Sequence, residues 1–400
     1  MFKVLIACFD NWDTISEIPY LLQAAGCTVD AFCGDLSWLL TTDYVDNWFD
    51  SGEADAGYIN RLIDHVKNNQ YQWVILADDV LIKHMADAIH DQELCSMILP
   101  IGLIHNKALL SSKKGLSEFC LNNGIDTPGY AVYQHKNNID QLITGLNFPL
   151  LTKQDLSYGG ANMAVSHTIE ELEQQISKSC GSQDIVIQEF IEGEVICVEA
   201  LFYKGHLLHY QSSNAIAHAS NEFSYTTKRN YYQNDAIAPP LIDLGKKMGL
   251  NAFANIRYIH DHTSGKYHLI EMDPRPNSWI AYSKFLVKED FIAAVKRIIS
   301  GDYLSGFKAP KMNKPQIEMA LFYKDIRRIS WKKDYQGLLS WVLNFKGYWK
   351  FIPLHDHALM RKIFKQFWIE LVVFRFSSLK QKLHLGPSTV MGSDPRFNKC

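Results

Sequence analysis

The 400-residue chain is 47% hydrophobic, 21% charged and 12% aromatic, with 40 Lys and Arg against 43 Asp and Glu. That apolar fraction fills a buried core and excludes disorder, collagen-like repetition and a disulfide scaffold; the length predicts two or three domains. The charge is uneven along the chain: residues 1–307 carry 22 cationic and 37 anionic side chains and residues 308–383 carry 16 and 5, so the two parts suit different partners.

Residues 3–9 form a short apolar run with β-branched members, and this run meets Asp10 too soon for a secretory signal. A cytoplasmic protein is expected, with association to the inner membrane surface left open. Polar residues follow, then helical apolar spacing over 15–25 that ends at Gly26. A β-rich segment at 27–33 and the run 73–77, closed by Asp78-Asp79, complete an alternation of strands and amphipathic helices. Such alternation predicts a parallel sheet covered on both faces, a Rossmann-like α/β domain at 1–105. The loop after the first strand, Asp10-Asn-Trp-Asp-Thr14, contains no Gly-x-Gly-x-x-Gly, which disfavours a dinucleotide site. The eight cysteines form no Cys-x-x-Cys pair and sit mostly in apolar runs, so reduced, buried thiols are expected.

From 106 to 305 the pattern is α+β. A helix is predicted over 113–123, and strands over 148–153, 185–190, 194–203 and 206–211. Thr168-Ile-Glu-Glu171 reads as a capping box opening a helix to about residue 178, and Tyr203-Lys-Gly205 as a hairpin turn. Four elements carry chemistry. Lys113-Lys114 stands at a helix start. Lys153 ends a strand and precedes Ser157-Tyr-Gly-Gly-Ala-Asn-Met-Ala-Val165, where Gly159 and Gly160 let backbone N–H groups approach an anion. Gln188, Glu189, Phe190 and Ile191 leave a strand where backbone groups can meet an adenine edge and cover its face; Glu194 follows as an acceptor for ribose hydroxyls. Finally, His268-Leu-Ile-Glu-Met-Asp-Pro-Arg-Pro-Asn277 puts Glu271 and Asp273 on one face of a strand end. Two carboxylates so close call for a cation between them, and the prolines fix the loop that presents Arg275.

In this order the elements resemble the ATP-grasp superfamily of ATP-dependent carboxylate–amine ligases. The resemblance covers roughly 1–305 and is most specific at Glu271-Met-Asp-Pro-Arg-Pro-Asn277. It implies an ATP-grasp domain at 106–305 made of two α+β subdomains, with the lid at about 125–187. It also implies ATP and Mg2+ as cofactors and an acyl phosphate formed from a carboxylate and captured by an amine. Lys113 (or Lys114) and Lys153 take the phosphate-binding roles, Tyr158 to Val165 the lid loop, and 188–191 the adenine hinge. Glu194 takes the ribose, Glu271 and Asp273 the magnesium, and Arg275 and Asn277 the transferred phosphoryl group. The sequence departs from the family at Arg257, which stands where the preceding strand usually carries another acidic ligand. The alternative reading is therefore a nucleotide-binding protein without efficient turnover.

The substrates expected are a small-molecule carboxylate and amine, an amino acid or a small envelope precursor. Thr226-Thr-Lys-Arg229 reads as a polar loop near the γ-phosphate, in which Arg229 is a candidate for a substrate carboxylate. His260 and His262 alternate on a strand without companions at metal spacing. Residues 306–385 are a basic, aromatic-rich, mainly helical extension too short in its apolar runs to span a bilayer. Its aromatics pack onto the ligase core or a second subunit, as in a homodimer, or its basic face meets a membrane or protein partner through 308–383. No nucleic acid is expected, and a polar, mobile tail is assigned to 386–400.

Overall fold

The computed structural model describes residues 1–382 except 11, 54, 56, 135–136, 158–162 and 180–182, with side chains described to residue 369. Gly159 and Gly160 lie outside the described residues. The chain is a mixed α/β protein with three sheets.

The first sheet is parallel, with its strands in the order Asn47–Asp50, Cys27–Cys33, Phe2–Ala7, Trp73–Leu76. Its two faces feed separate cores. Val4 and Ile6 pack with Ile18, Leu21 and Leu22, whereas Leu5 and Ala7 pack with Leu81, Ile82 and Met85. This double burial explains the unbroken apolar run. The helix Ile18–Ala25 starts with a proline in its first turn and stops at Gly26, whose φ of 101° an L side chain resists. The short strand Asn47–Asp50 carries no apolar run, and the sequence reading does not contain it.

The second sheet is antiparallel, Tyr130–Tyr133, Ile185–Glu189, Leu150–Gln154, Ala164–Ser166. The third is also antiparallel and orders Tyr267–Asp273, Phe253–His260, Glu194–Tyr203, His206–His218, Thr226–Tyr232 and Gln316–Ala320. Lys204 and Gly205, at φ 48° and 81°, make the tight turn that joins its two longest strands.

One reading is corrected here. Residues 226–229 are not a polar loop: they open an inner strand paired on both sides. The region after 305 has the helices Phe322–Lys332, Tyr335–Val342 and His357–Lys382, and before them the strand Gln316–Ala320, which closes the edge of the large sheet. Polar side chains hide the strand at 226–229, because Thr226 and Arg229 face a polar cavity and not a greasy core. All six described cysteines are buried and free.

Candidate functional site

A cavity of about 560 Å³ opens between the large sheet, the helix Lys113–Asn122, the N-terminal domain and the helix Phe322–Lys332. Six cations (Lys113, Arg229, Arg257, Arg275, Lys324, Arg327) and four carboxylates (Asp13, Asp79, Glu271, Asp273) line it.

Strand register builds its floor. Asn255 pairs with Asp273 and Arg257 with Glu271 on one side; Asn255 pairs with Glu199 on the other. Because directly opposed residues share a face, these side chains form one row. Arg257 stands 3.0 Å from Glu271, and Asn255 Nδ2 donates to Asp273 at 3.3 Å. Burial pushes Glu271 up, but Arg257, Lys153 and Lys113 outweigh it and hold its carboxylate below the ordinary range. Asp273 goes the other way, up to about 7, through burial and the neighbouring charge of Asp79, with Glu271 adding to it against Arg275. Asn255 Oδ1 is buried without a hydrogen-bond partner. The donor set that fits a hard divalent cation is therefore Glu271, Asp273 and the Asn255 carbonyl, all oxygen.

Two lysines approach this row, Lys113 in the cavity lining and Lys153 behind it. Ser112 caps the helix Lys113–Asn122 by accepting from Gly115 N–H, which fixes the helix start. Lys113 then lines the cavity and donates to the carbonyls of Ser157 (2.6 Å) and Asp155 (3.2 Å), just before the segment expected to be the lid loop, whose residues 158–162 lie outside the described residues. Lys114 points elsewhere and pairs with Asp184 at 3.0 Å, so of the two Lys113 is the one in the cavity lining. Lys153 is 5% exposed and lies behind the lining; burial brings it down to about 8, with Glu271 acting against this and Lys113 and Arg257 reinforcing it.

Arg275 is gripped at both ends. Its guanidinium makes two 2.7 Å contacts to Asp79, stands 3.6 Å from Asp273 and lies 4.9 Å from the Trp12 ring centre. Asn277 accepts from Trp279 N–H at 3.0 Å and turns Nδ2 toward Glu199 at 3.5 Å. Arg229, 3% exposed, is ion-paired to buried Glu199, donates to Thr226 Oγ1 at 2.7 Å and lies over Trp279 at 4.7 Å. It lines the cavity as a member of a closed network and not as a solvated group.

The hinge residues are not brought to the cavity lining. Gln188 donates to Ser117 Oγ at 3.2 Å. The Glu189 carboxylate accepts from Asn147. Contrary to the expectation of free hinge amides, Glu189 N–H donates to Gly129 and Phe190 N–H to Pro149, because the strand Ile185–Glu189 lies inside its sheet with a partner on each side. Phe190 is 38% exposed and Ile191 partly buried. Glu194 alternates to the face of Ile196 and Val198, opposite Glu199, and accepts from Asn214 at 3.2 Å. There it does meet His260 and His262, with ligand atoms of the three within 4.8 Å of one another, so the histidines have a carboxylate companion that spacing along the chain concealed.

Sequence reasoning missed Asp79, Trp12, Glu199, Asn255 and the pair Lys324 and Arg327. A signal exists for one of them. Glu199 is the one carboxylate within the apolar run 195–203, and it is fully buried. The others come from a loop, a strand and the helices Asp79–Ala88 and Phe322–Lys332, which only the tertiary structure assembles.

The architecture is the ATP-grasp fold that the motifs resemble. Among solved structures, the chain is similar to N5-carboxyaminoimidazole synthetase from Staphylococcus aureus complexed with ADP (TM-score 0.61, 12% identity, 82% of this chain and 86% of that one). It is also similar to the biotin carboxylase domain of 2-oxoglutarate carboxylase from Hydrogenobacter thermophilus, in complex with MgADP, ADP and bicarbonate (0.55, 15%, 75% and 70%). L-amino acid ligase from Bacillus licheniformis is another such structure (0.52, 16%, 74% and 74%). At these identities the likeness is one of fold. The carbamoyl phosphate synthase large chain of Clostridium perfringens is 24% identical over 172 residues, 40% of this chain and 16% of that protein, so the match spans a small part of the relative's length. No family model matches.

Proposed function

We propose that the protein is an ATP- and Mg2+-dependent ligase that phosphorylates a carboxylate and joins the acyl phosphate to an amine, with ADP and phosphate as products. The observation that carries this reading is the gathering of Lys113, Glu271, Asp273 and Arg275 around one cavity of about 560 Å³, with Lys153 behind the lining and within electrostatic reach of Glu271. Phosphoryl transfer asks a protein mainly for alignment and charge neutralisation. Lys113, Lys153 and Arg275 supply positive charge; burial strengthens its pull on phosphate oxygens, although it also lowers the two lysines' affinity for the proton, which a bound anion opposes. Glu271, Asp273 and Asn255 would hold a magnesium ion, which would supply charge neutralisation for the transferred phosphoryl group. In this reading residues 1–105 and 106–305 flank the cleft, 125–187 form the lid, and the hinge 188–191 reaches adenine after lid closure. The proteins of similar fold include an L-amino acid ligase and ADP complexes, which supports an amino acid or another small carboxylate as substrate.

A second reading rests on Arg257. Its ion pair occupies one face of Glu271, which favours a nucleotide-binding protein with weak magnesium-dependent turnover. Release of ADP with pooled amino acids and carboxylates, in the presence of Mg2+, separates the two. The ligase reading expects release that depends on an acid and an amine and is lost in Lys153→Ala. Saturable MgATP binding without release would support the second reading, and no thermal shift with MgATP would overturn both.

A further inference from the structure

The helix Tyr335–Val342 wears its apolar residues on the outside. Tyr335, Leu338, Leu339 and Val342 follow the spacing of one helix face and are 76%, 39%, 53% and 60% exposed, while Trp341 on the other side is buried. The next turn adds Leu343, Phe345 and Trp349, whose Nε1–H donates to the Trp341 carbonyl at 2.9 Å and so fixes the indole beside the helix. Exposed Phe364, Trp368 and Ile369 come from the start of the helix His357–Lys382. Both helices lean on the same residue: the Phe322 ring lies 5.7 Å from Trp341 and 5.5 Å from Phe364. A soluble monomer rarely leaves so much apolar surface uncovered.

The charges beside this surface are mainly positive; the carboxylates at its edge include Glu318, 3.4 Å from Lys346, and Asp334, which caps the helix Tyr335–Val342. Between residues 335 and 369 the sequence has a single carboxylate, Asp356, and it is fully buried. Lys346, Lys350, Arg361 and Lys365 in the same stretch are all exposed. We infer that this face docks on the surface of an anionic lipid bilayer, with the apolar side chains entering the headgroup boundary and the cations meeting lipid phosphates. Tyr335, Trp349 and Trp368 are the residue types that sit at that depth, and the cations supply the second attraction that a short apolar face needs. A two-fold pairing with a second copy would set these cations against each other. Among the described residues no helix is long and apolar enough to cross a membrane, so the face lies on the bilayer. The inference stands apart from the nucleotide reading, since none of these residues lines the cavity.

Co-sedimentation of the full chain with phosphatidylcholine vesicles, with and without ~30 mol% phosphatidylglycerol, tests it. The expected result is binding to the anionic vesicles only, weakened about tenfold or more at ~0.5 M salt. Leu339→Glu with Val342→Glu should lower the binding about tenfold or more. So should Lys346→Glu with Lys350→Glu, and both double variants should keep the wild-type melting temperature, because the replaced side chains are exposed. Equal binding to neutral vesicles, no binding by wild type, or unaltered binding by both variants would overturn the inference. So would a dimer in light scattering that Leu339→Glu with Val342→Glu splits, which would give the surface to a second copy.

Discussion

At Glu271 one carboxylate serves two cations: Arg257 at 3.0 Å in the structure, and the metal ion in the proposed reaction. Replacement of Glu271 by Gln removes a negative oxygen from the metal set and leaves Arg257 unpaired. ADP release should fall by about a hundredfold or more in initial-rate assays. Arg257→Gln acts in the opposite sense. It frees Glu271 for the ion, and half-saturation of nucleotide binding should occur at roughly tenfold lower Mg2+ in calorimetric titrations. Away from the cavity, Glu17 is buried against Tyr282, which donates to it at 2.6 Å, and its second oxygen has no partner. Burial pushes its pKa up to about 8, so the fold prefers the protonated acid. A raised folded-state value means stability present below the ordinary carboxyl range and lost as pH climbs toward 8. Wild type should lose roughly 3 to 5 kcal/mol from this group between pH 5 and pH 8, and Glu17→Gln should flatten the profile in urea unfolding.

At the scale of single elements, the helix Lys113–Asn122 and the strand Thr226–Tyr232 bear most on the site. Gly115 sits in the first turn of the helix because a Cβ there would come within 2.0 Å of the Ala108 carbonyl oxygen. Gly115→Ala must push the helix start away, at a cost of about 1 to 3 kcal/mol, and should lower turnover as well by carrying Lys113 with it. Melting curves and ADP release measured on the same sample check both effects. In the strand, Arg229 and Glu199 are a buried pair joined by Tyr231. Loss of either partner alone strands a charge and should cost about 3 to 5 kcal/mol, whereas Arg229→Met with Glu199→Gln should recover much of it. This arrangement explains why the strand is hard to read in Thr226-Thr-Lys-Arg229. Its inward positions are polar because they meet a carboxylate and a tryptophan, so the usual apolar alternation is missing. By contrast, the strand Glu194–Tyr203 and the helix Ile18–Ala25 lie where expected, since apolar neighbours and a terminal glycine mark them locally.

Over the whole molecule, the Asp79–Arg275 pair ties the end of the N-terminal sheet to the loop after the strand Tyr267–Asp273, across 196 residues of chain. The C-terminal region is bound in as firmly: Gln316–Ala320 completes the large sheet, and Lys324 and Arg327 reach the cavity. A chain cut after residue 305 would expose the edge of Thr226–Tyr232 and should elute as aggregates in size-exclusion chromatography.

The acidic pair, Arg275 after it and the fold class are written in local sequence, because two-residue alternation, a proline-fixed loop and apolar periodicity are short-range properties. Which lysine of Lys113-Lys114 enters the cleft, the burial of Arg229 and the pairing of Arg257 with Glu271 depend on helix phase and cross-strand register. So do the meeting of Glu194 with two histidines and the entry of a C-terminal helix into the cavity wall. These are decided only when distant segments pack, since register and packing are energies of pairs that no single stretch of chain contains.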